Sequence, residues 1–148
     1  MAQSSFPRRL LVTLAVALTV GVAVYAQKSG EDKKPSLSLK ATPVTGFAPL
    51  RVRLTVDVKG GPNDFPDYYC PSVDWEWGDD LHSGNSEDCS PYEAGKSEIK
   101  RRYATEHVFR YEGTYRVVLR LKQKDRVVAM TSTTVEVRPG VRDSFDNN

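Results

Sequence analysis

The chain is expected to be all-β, a single antiparallel sandwich of about seven strands, and three observations carry that expectation. Apolar and polar residues alternate with a period of two in segment after segment. Helical periodicity is nearly absent. β-branched residues crowd the last patterned stretch, from Val127 to Val137, as strands prefer. About six or seven short strands with no credible helix predict a sandwich.

Taken in order, Ser36 to Ala41 places Leu37, Leu39 and Ala41 on one face, and Pro43, Gly46 and Pro49 punctuate a turn. Leu50 to Val58 is the clearest strand: Leu50, Val52, Leu54, Val56 and Val58 face inward, and Arg51, Arg53, Thr55 and Asp57 face outward. Gly60-Gly61-Pro62 ends it, and a loop runs to about Ser72. Val73, Trp75 and Trp77 then share a face opposite Asp74 and Glu76. Asp79 to Lys96 holds few apolar residues and reads as loop. Glu98 to Phe109 reads as an irregular strand, and Thr114 to Lys122 alternates cleanly, burying Tyr115, Val117, Leu119 and Leu121. Lys124-Asp125 marks a hairpin turn into the final strand.

The N-terminus has the layout of a secretory signal peptide over residues 1–26. Arg8 and Arg9 precede an apolar run, Leu10 to Val24, and Val24 and Ala26 stand at the −3 and −1 positions of a cleavage site. The run has 15 residues, short of the ~20 that a bilayer-spanning helix needs. Cleavage leaves no membrane span, whereas retention would anchor the chain at its N-terminus. The expected localisation is secreted, periplasmic or otherwise extracytoplasmic. Residues 27–34 read as a polar linker, 35–139 as one folded domain and 140–148 as a flexible tail. A folded part near 100 residues is short for most enzymes.

Cys70 and Cys89 are the two cysteines of this exported chain, so they are expected to pair. The bridge would close a loop of about 20 residues and stabilise by roughly 3 kcal/mol on the chain-entropy account.

Three separated motifs, in order, resemble the PKD (polycystic kidney disease) domain family. Thr42-Pro43-Val44-Thr45-Gly46-Phe47-Ala48-Pro49-Leu50 resembles its P-x-x-G-x-A-P-L turn. Trp75-Glu76-Trp77-Gly78-Asp79-Asp80 resembles its W-D-F-G-D-G, and His107 to Tyr115 its H-x-Y followed by G-x-Y. The resemblance spans about Pro35 to Arg138 and implies an immunoglobulin-like β-sandwich acting as a non-catalytic surface or secreted module. It further implies that Trp75, Trp77, Gly78, Asp79, His107, Gly113 and Tyr115 are structural, with Tyr115 a corner tyrosine. Three departures stand out: Trp77 for Phe, Asp80 for the second Gly, and an enlarged loop bearing Cys89. Asp80 means either that the turn needs no positive φ there or that Asp80 tolerates one.

Each candidate site has a plain alternative. Trp75 and Trp77 lie at i and i+2 beside Val73, so core packing outweighs a sugar-stacking platform. Phe65, Tyr68, Tyr69 and Tyr92 flank the cysteines and are the candidate ligand-contact residues. His107 stands without a recognisable nucleophile, and a Glu76–Asp79 carboxylate pair on so small a sandwich has no expected cleft, so no enzyme activity and no catalytic residue are assigned.

The segment Asp57 to Glu93 holds ten acids and one base, Lys59, whereas the chain after residue 26 has 19 bases and 19 acids. The remainder is therefore strongly basic, in groups such as Arg51 and Arg53, Lys100 to Arg102, and Arg116, Arg120 and Lys122. A weaker reading gives Asp74, Glu76, Asp79, Asp80, Glu87 and Asp88 to Ca²⁺, as in some PKD-like domains, although no EF-hand-type spacing occurs. No other cofactor and no confident metal site is expected. Zero net charge on an exported chain argues against nucleic acid. The expected function is protein or carbohydrate binding or adhesion through loops near the cysteines. The alternative is a structural protein whose acidic loops dock on basic faces of its neighbours.

Overall fold

The computed structural model describes residues 33–140. The expected signal peptide, most of the linker and nearly all of the tail lie outside the described residues. Among the described residues eight strands form: β1 (Ser36–Thr42), β2 (Thr45–Phe47), β3 (Leu50–Lys59), β4 (Ser72–Glu76), β5 (His82–Asn85), β6 (Arg102–Phe109), β7 (Gly113–Gln123) and β8 (Arg126–Arg138). They make two sheets, one ordered β1-β3-β6 and the other β2-β8-β7-β4-β5. In immunoglobulin lettering these are A-B-E and A′-G-F-C-C′, without a D strand among the described residues. β2 runs parallel to β8, and every other pairing is antiparallel. The fold is an immunoglobulin-like β-sandwich.

The alternation in β3 and β7 builds the core. Val52, Leu54, Val56 and Val58 from one sheet face Val117, Leu119 and Leu121 from the other, all of them buried. Val128, Val135 and Val137 of β8 close one side, and Trp75, Trp77, Tyr103 and Phe109 fill the rest. The expected β7–β8 hairpin turns at Lys124-Asp125, with Lys124 at a φ of 54°. A register shift after Leu121 lets Val128 turn inward.

Three expectations are corrected. His82–Asn85, read as loop, is strand β5, paired to β4 through Val73 to Glu76. Its side chains are all exposed, so backbone pairing alone makes it a strand and no apolar period announces it. Thr45–Phe47, read as a turn, is strand β2, and the total is eight. The strand expected from Glu98 begins only at Arg102; Ile99 is buried nonetheless, and its N–H donates to the Asn63 carbonyl at 2.7 Å.

Candidate functional site

The strand directions sort the connections into two ends. One end gathers the turns 43–44, 48–49, 77–81 and 110–112; the other gathers the loops 60–71 and 86–101 and the hairpin 124–125.

The first end carries the motif residues. β4 runs out through Trp77 into a turn where Gly78 sits at a φ of 80°, and a Cβ there would lie 2.9 Å from the Arg116 carbonyl oxygen. Asp80 follows at a φ of 64°, so the turn does need a left-handed residue at that position and Asp80 supplies it. Trp75, Trp77 and His107 form a stack: the indoles lie 5.4 Å apart, and the imidazole lies 4.3 Å from Trp77 at an interplanar angle of 6°. His107 Nε2 and Asp79 Oδ2 are 2.7 Å apart, and Asp79 Oδ1 accepts from the Leu81 N–H at 3.3 Å. The carboxylate thus clamps its own turn to β6. Phe109 continues the ring series to Tyr115. The Tyr115 hydroxyl donates to the Tyr111 carbonyl at 2.9 Å, the geometry of a tyrosine corner, while Gly113 lets the chain pass against the Tyr115 ring. Desolvation, then the Asp79 and Glu112 charges, push the Tyr115 hydroxyl pKa up. These residues hold the two sheets together, and the His107 and Asp79 side chains are mostly buried.

The disulfide end is built differently. Cys70 and Cys89 are bonded, with Cα atoms 6.2 Å apart. The bridge joins loop 60–71 to loop 86–101, and further bonds stitch the same loops. Tyr69 donates to the Ser90 carbonyl at 2.9 Å and Tyr92 to the Asp64 carbonyl at 2.7 Å. The Gly95 N–H donates to Asp64 Oδ2 at 2.9 Å. Arg101 spreads its guanidinium over the Gly60 carbonyl at 2.6 Å, the Gly61 and Pro62 carbonyls, and Asn63 Oδ1 at 2.7 Å. Tyr69 and Tyr92 meet edge to face at 5.6 Å. Desolvation and then the Asp64 carboxylate push the Tyr92 hydroxyl pKa up. An open concavity of about 490 Å³ lies beside this pair, bordered by Tyr69, Ser90, Pro91, Glu93, Lys96 and Glu98.

The four candidate contact residues separate here. Tyr92 is exposed, whereas Phe65 and Tyr69 are partly buried against the core. Tyr68 must be corrected: it is only 2% exposed, packs edge to face on Phe65, and donates to the Pro35 carbonyl at 2.7 Å. It pins the loop from below, because the 3₁₀ turn Pro66–Tyr68 points its ring inward.

The acids do not converge as a calcium cage would require. Asp74 bonds Lys122 at 2.8 Å and Glu76 bonds Arg120 at 2.7 Å. Asp79 bonds His107 and Glu87 bonds Lys100. No group of three or more metal-ligating side chains occurs among the described residues. Asp57–Arg102, Asp67–Arg126 and Glu93–Lys96 extend the pairing. The charge asymmetry along the chain therefore largely cancels in space. Arg101, grouped with the basic faces by its neighbours in sequence, serves as a loop fastener.

No helix of the described residues is long and apolar enough to cross a membrane. The disulfide suits an oxidising compartment.

No family model matches this chain, and no curated protein matches it. Among solved structures it is similar to the PKD domain of an M14-like peptidase from a Thermoplasmatales archaeon, at 14% identity and a TM-score of 0.45 over 70% of this chain and 96% of that one. A CARDB domain from Pyrococcus furiosus, solved in complex with di-metal ions, has 14% identity and a TM-score of 0.46 over 70% and 92%. A superoxide reductase from Ignicoccus hospitalis has 13% identity and a TM-score of 0.43 over 72% and 83%. These are distant likenesses. By its own strand order and corner geometry, the chain is an immunoglobulin-like β-sandwich with a disulfide-stitched loop shelf at one end.

Proposed function

We propose that the chain is an exported, non-catalytic recognition module that binds a glycan or protein ligand on the shelf at its disulfide end. The observation that carries this reading is the fastening of loops 60–71 and 86–101 to each other, by a disulfide and by side-chain bonds from Tyr69 and Tyr92. A shelf already rigid loses little conformational freedom on binding, which is how preorganised sites gain affinity. Tyrosines supply rigid amphipathic contact area at low entropic cost. Around the concavity, Tyr69 stands with Ser90, Ser97, Glu93 and Glu98, which puts an aromatic side chain and hydrogen-bonding groups together, as polyhydroxylated rings require.

The test is a glycan array probed with wild type and Tyr92→Ala. Saturable binding to one glycan class, weakened about tenfold or more by the variant with a cooperative unfolding transition retained, supports the reading. Binding that Tyr92→Ala leaves unaltered would move the site elsewhere. The assembly alternative, acidic loops docking on basic faces of a neighbour, is disfavoured because those acids already hold bases of their own chain.

A further inference from the structure

Among the described residues β6 is an edge strand, paired to β3 on one side. The Val58 N–H donates to the Arg101 carbonyl, which sets the phase of the antiparallel ladder. Tyr103, Thr105, His107 and Phe109 turn their backbone groups toward β3, so Arg102, Ala104 and Glu106 turn theirs outward. β6 has eight residues, against four in β5 at the edge of the other sheet. An edge this long is an open template for another strand unless something blocks it.

Its outer-face charges decide what fits. Arg102 sits across from Asp57 and is bonded to it at 2.8 Å; Glu106 sits across from Arg53 and is bonded to it at 2.9 Å. When a second β6 is laid antiparallel with Ala104 opposite Ala104, each Arg102 falls opposite Glu106 of the other copy. The row across the joined sheets then reads Asp57, Arg102, Glu106, Arg53, alternating in sign at every step, and two-fold symmetry repeats it on the other side of Ala104. Shifting the register by one ladder step pairs Arg102 with Ala104 or with Val108, and a further step sets like charges opposite each other. One register is therefore self-complementary and its neighbours are not. A small residue, Ala104, stands at the two-fold axis.

We propose that β6 is a homodimerisation edge, pairing isologously with β6 of a second copy about Ala104 to make a continuous sheet β1-β3-β6-β6-β3-β1. The contact uses the side of the sandwich, so it is independent of the loop shelf and leaves the shelf of each copy open. It also differs from acidic loops docking head to tail, because it needs no side chain to leave its present partner.

The test uses the full chain, expressed with its own leader in an export-competent bacterium and oxidised with copper phenanthroline. Hydrogen-bonded antiparallel pairs hold Cα atoms about 5.5 Å apart, within reach of a disulfide. Ala104→Cys is expected to give a reducible band of twice the monomer mass. Val108→Cys, equally on β6 but distant from its own copy across the axis, is expected to give about a tenfold weaker one or none. In the Ala104→Cys background, Glu106→Arg should cut the dimer band about fivefold or more, and Glu136→Arg on β8 should leave it unchanged. An unchanged near-UV spectrum for each variant shows that the fold is kept. Absence of the Ala104→Cys dimer, equal cross-linking at Val108→Cys, or indifference to Glu106→Arg would each overturn the proposal.

Discussion

Tyr103 and Tyr68 are neighbours in the core with opposite hydrogen-bonding fates. The Tyr68 hydroxyl donates to the Pro35 carbonyl, whereas the Tyr103 hydroxyl is buried with no partner among the described residues. A buried hydroxyl without a partner forfeits its hydration, and a satisfied one recovers most of it. Tyr68→Phe is therefore expected to destabilise by about 1 kcal/mol, and Tyr103→Phe to be neutral or stabilising by about 1 kcal/mol. Thermal unfolding decides this, because about 1 kcal/mol moves the midpoint of such a domain by ~4–8 °C. A Tyr103→Phe variant that melts lower would mean that an ordered water satisfies the hydroxyl. The same site carries an alkaline signature. Burial first, then the Glu87 and Tyr68 groups, push the Tyr103 pKa up to about 12 from 10.0. Between these values the unfolded chain has released the proton and the folded chain still holds it. The contribution of this group is thus fully present below pH 10 and is lost as pH rises through about 12. Tyrosinate absorbance should show a late-titrating component that Tyr103→Phe removes.

At the scale of elements, the loops and strands differ in how far they were legible. β3 and β7 could be read directly because both bury one face, and burial writes period two into the sequence. The motif turn was legible through Trp77, Gly78 and Asp79, whose bulk, left-handed backbone and carboxylate are each demanded by a specific contact. β5 was not legible, because a fully exposed edge strand of His, Ser, Gly and Asn has no face to bury. Tyr68 is illegible for the converse reason: it is a core residue on a loop, where burial follows no period. The sequence groups Arg101 with the basic faces, since only the folded loop shows the carbonyls and the Asn63 side chain it fastens. Two losses are expected from this fastening. Cys70→Ser/Cys89→Ser should lower stability by roughly 3 kcal/mol, as closing a loop of about this length does. Arg101→Ala should leave several loop carbonyls without their donor and quicken amide exchange across residues 60–63 and at Ile99 more than in β7. Equal protection in variant and wild type would show that the loop is held by other contacts.

Across the whole molecule, the sequence separates acids from bases and the fold brings them back together. Asp57, Asp67, Asp74 and Glu76 come from the acidic stretch, and each meets a base from a distant strand, while Glu87 meets Lys100 at the far end of its own loop. Exposed pairs of this kind contribute little singly, so the arrangement acts mainly on which pH range favours the fold. Glu106 states the sign. The Arg53 guanidinium, by hydrogen bond and charge, holds its carboxyl below the ordinary value of 4.5, burial opposes this, and Arg51 adds to the lowering. Because the folded value is the lower one, its contribution is present above the unfolded value and is lost as pH falls through the folded value. Urea midpoints measured from pH 7 down to about pH 3 should therefore fall more steeply for wild type than for Glu106→Gln, with the curves diverging from the ordinary carboxylate range downward. Parallel curves would mean that the Arg53–Glu106 pair forms equally in the unfolded chain or not at all in the folded one. Since Glu106 also lies opposite Arg102 in the proposed β6 pairing, repeating the titration at several protein concentrations separates its two roles. An intrachain effect is independent of concentration, whereas a share carried by the dimer grows with it.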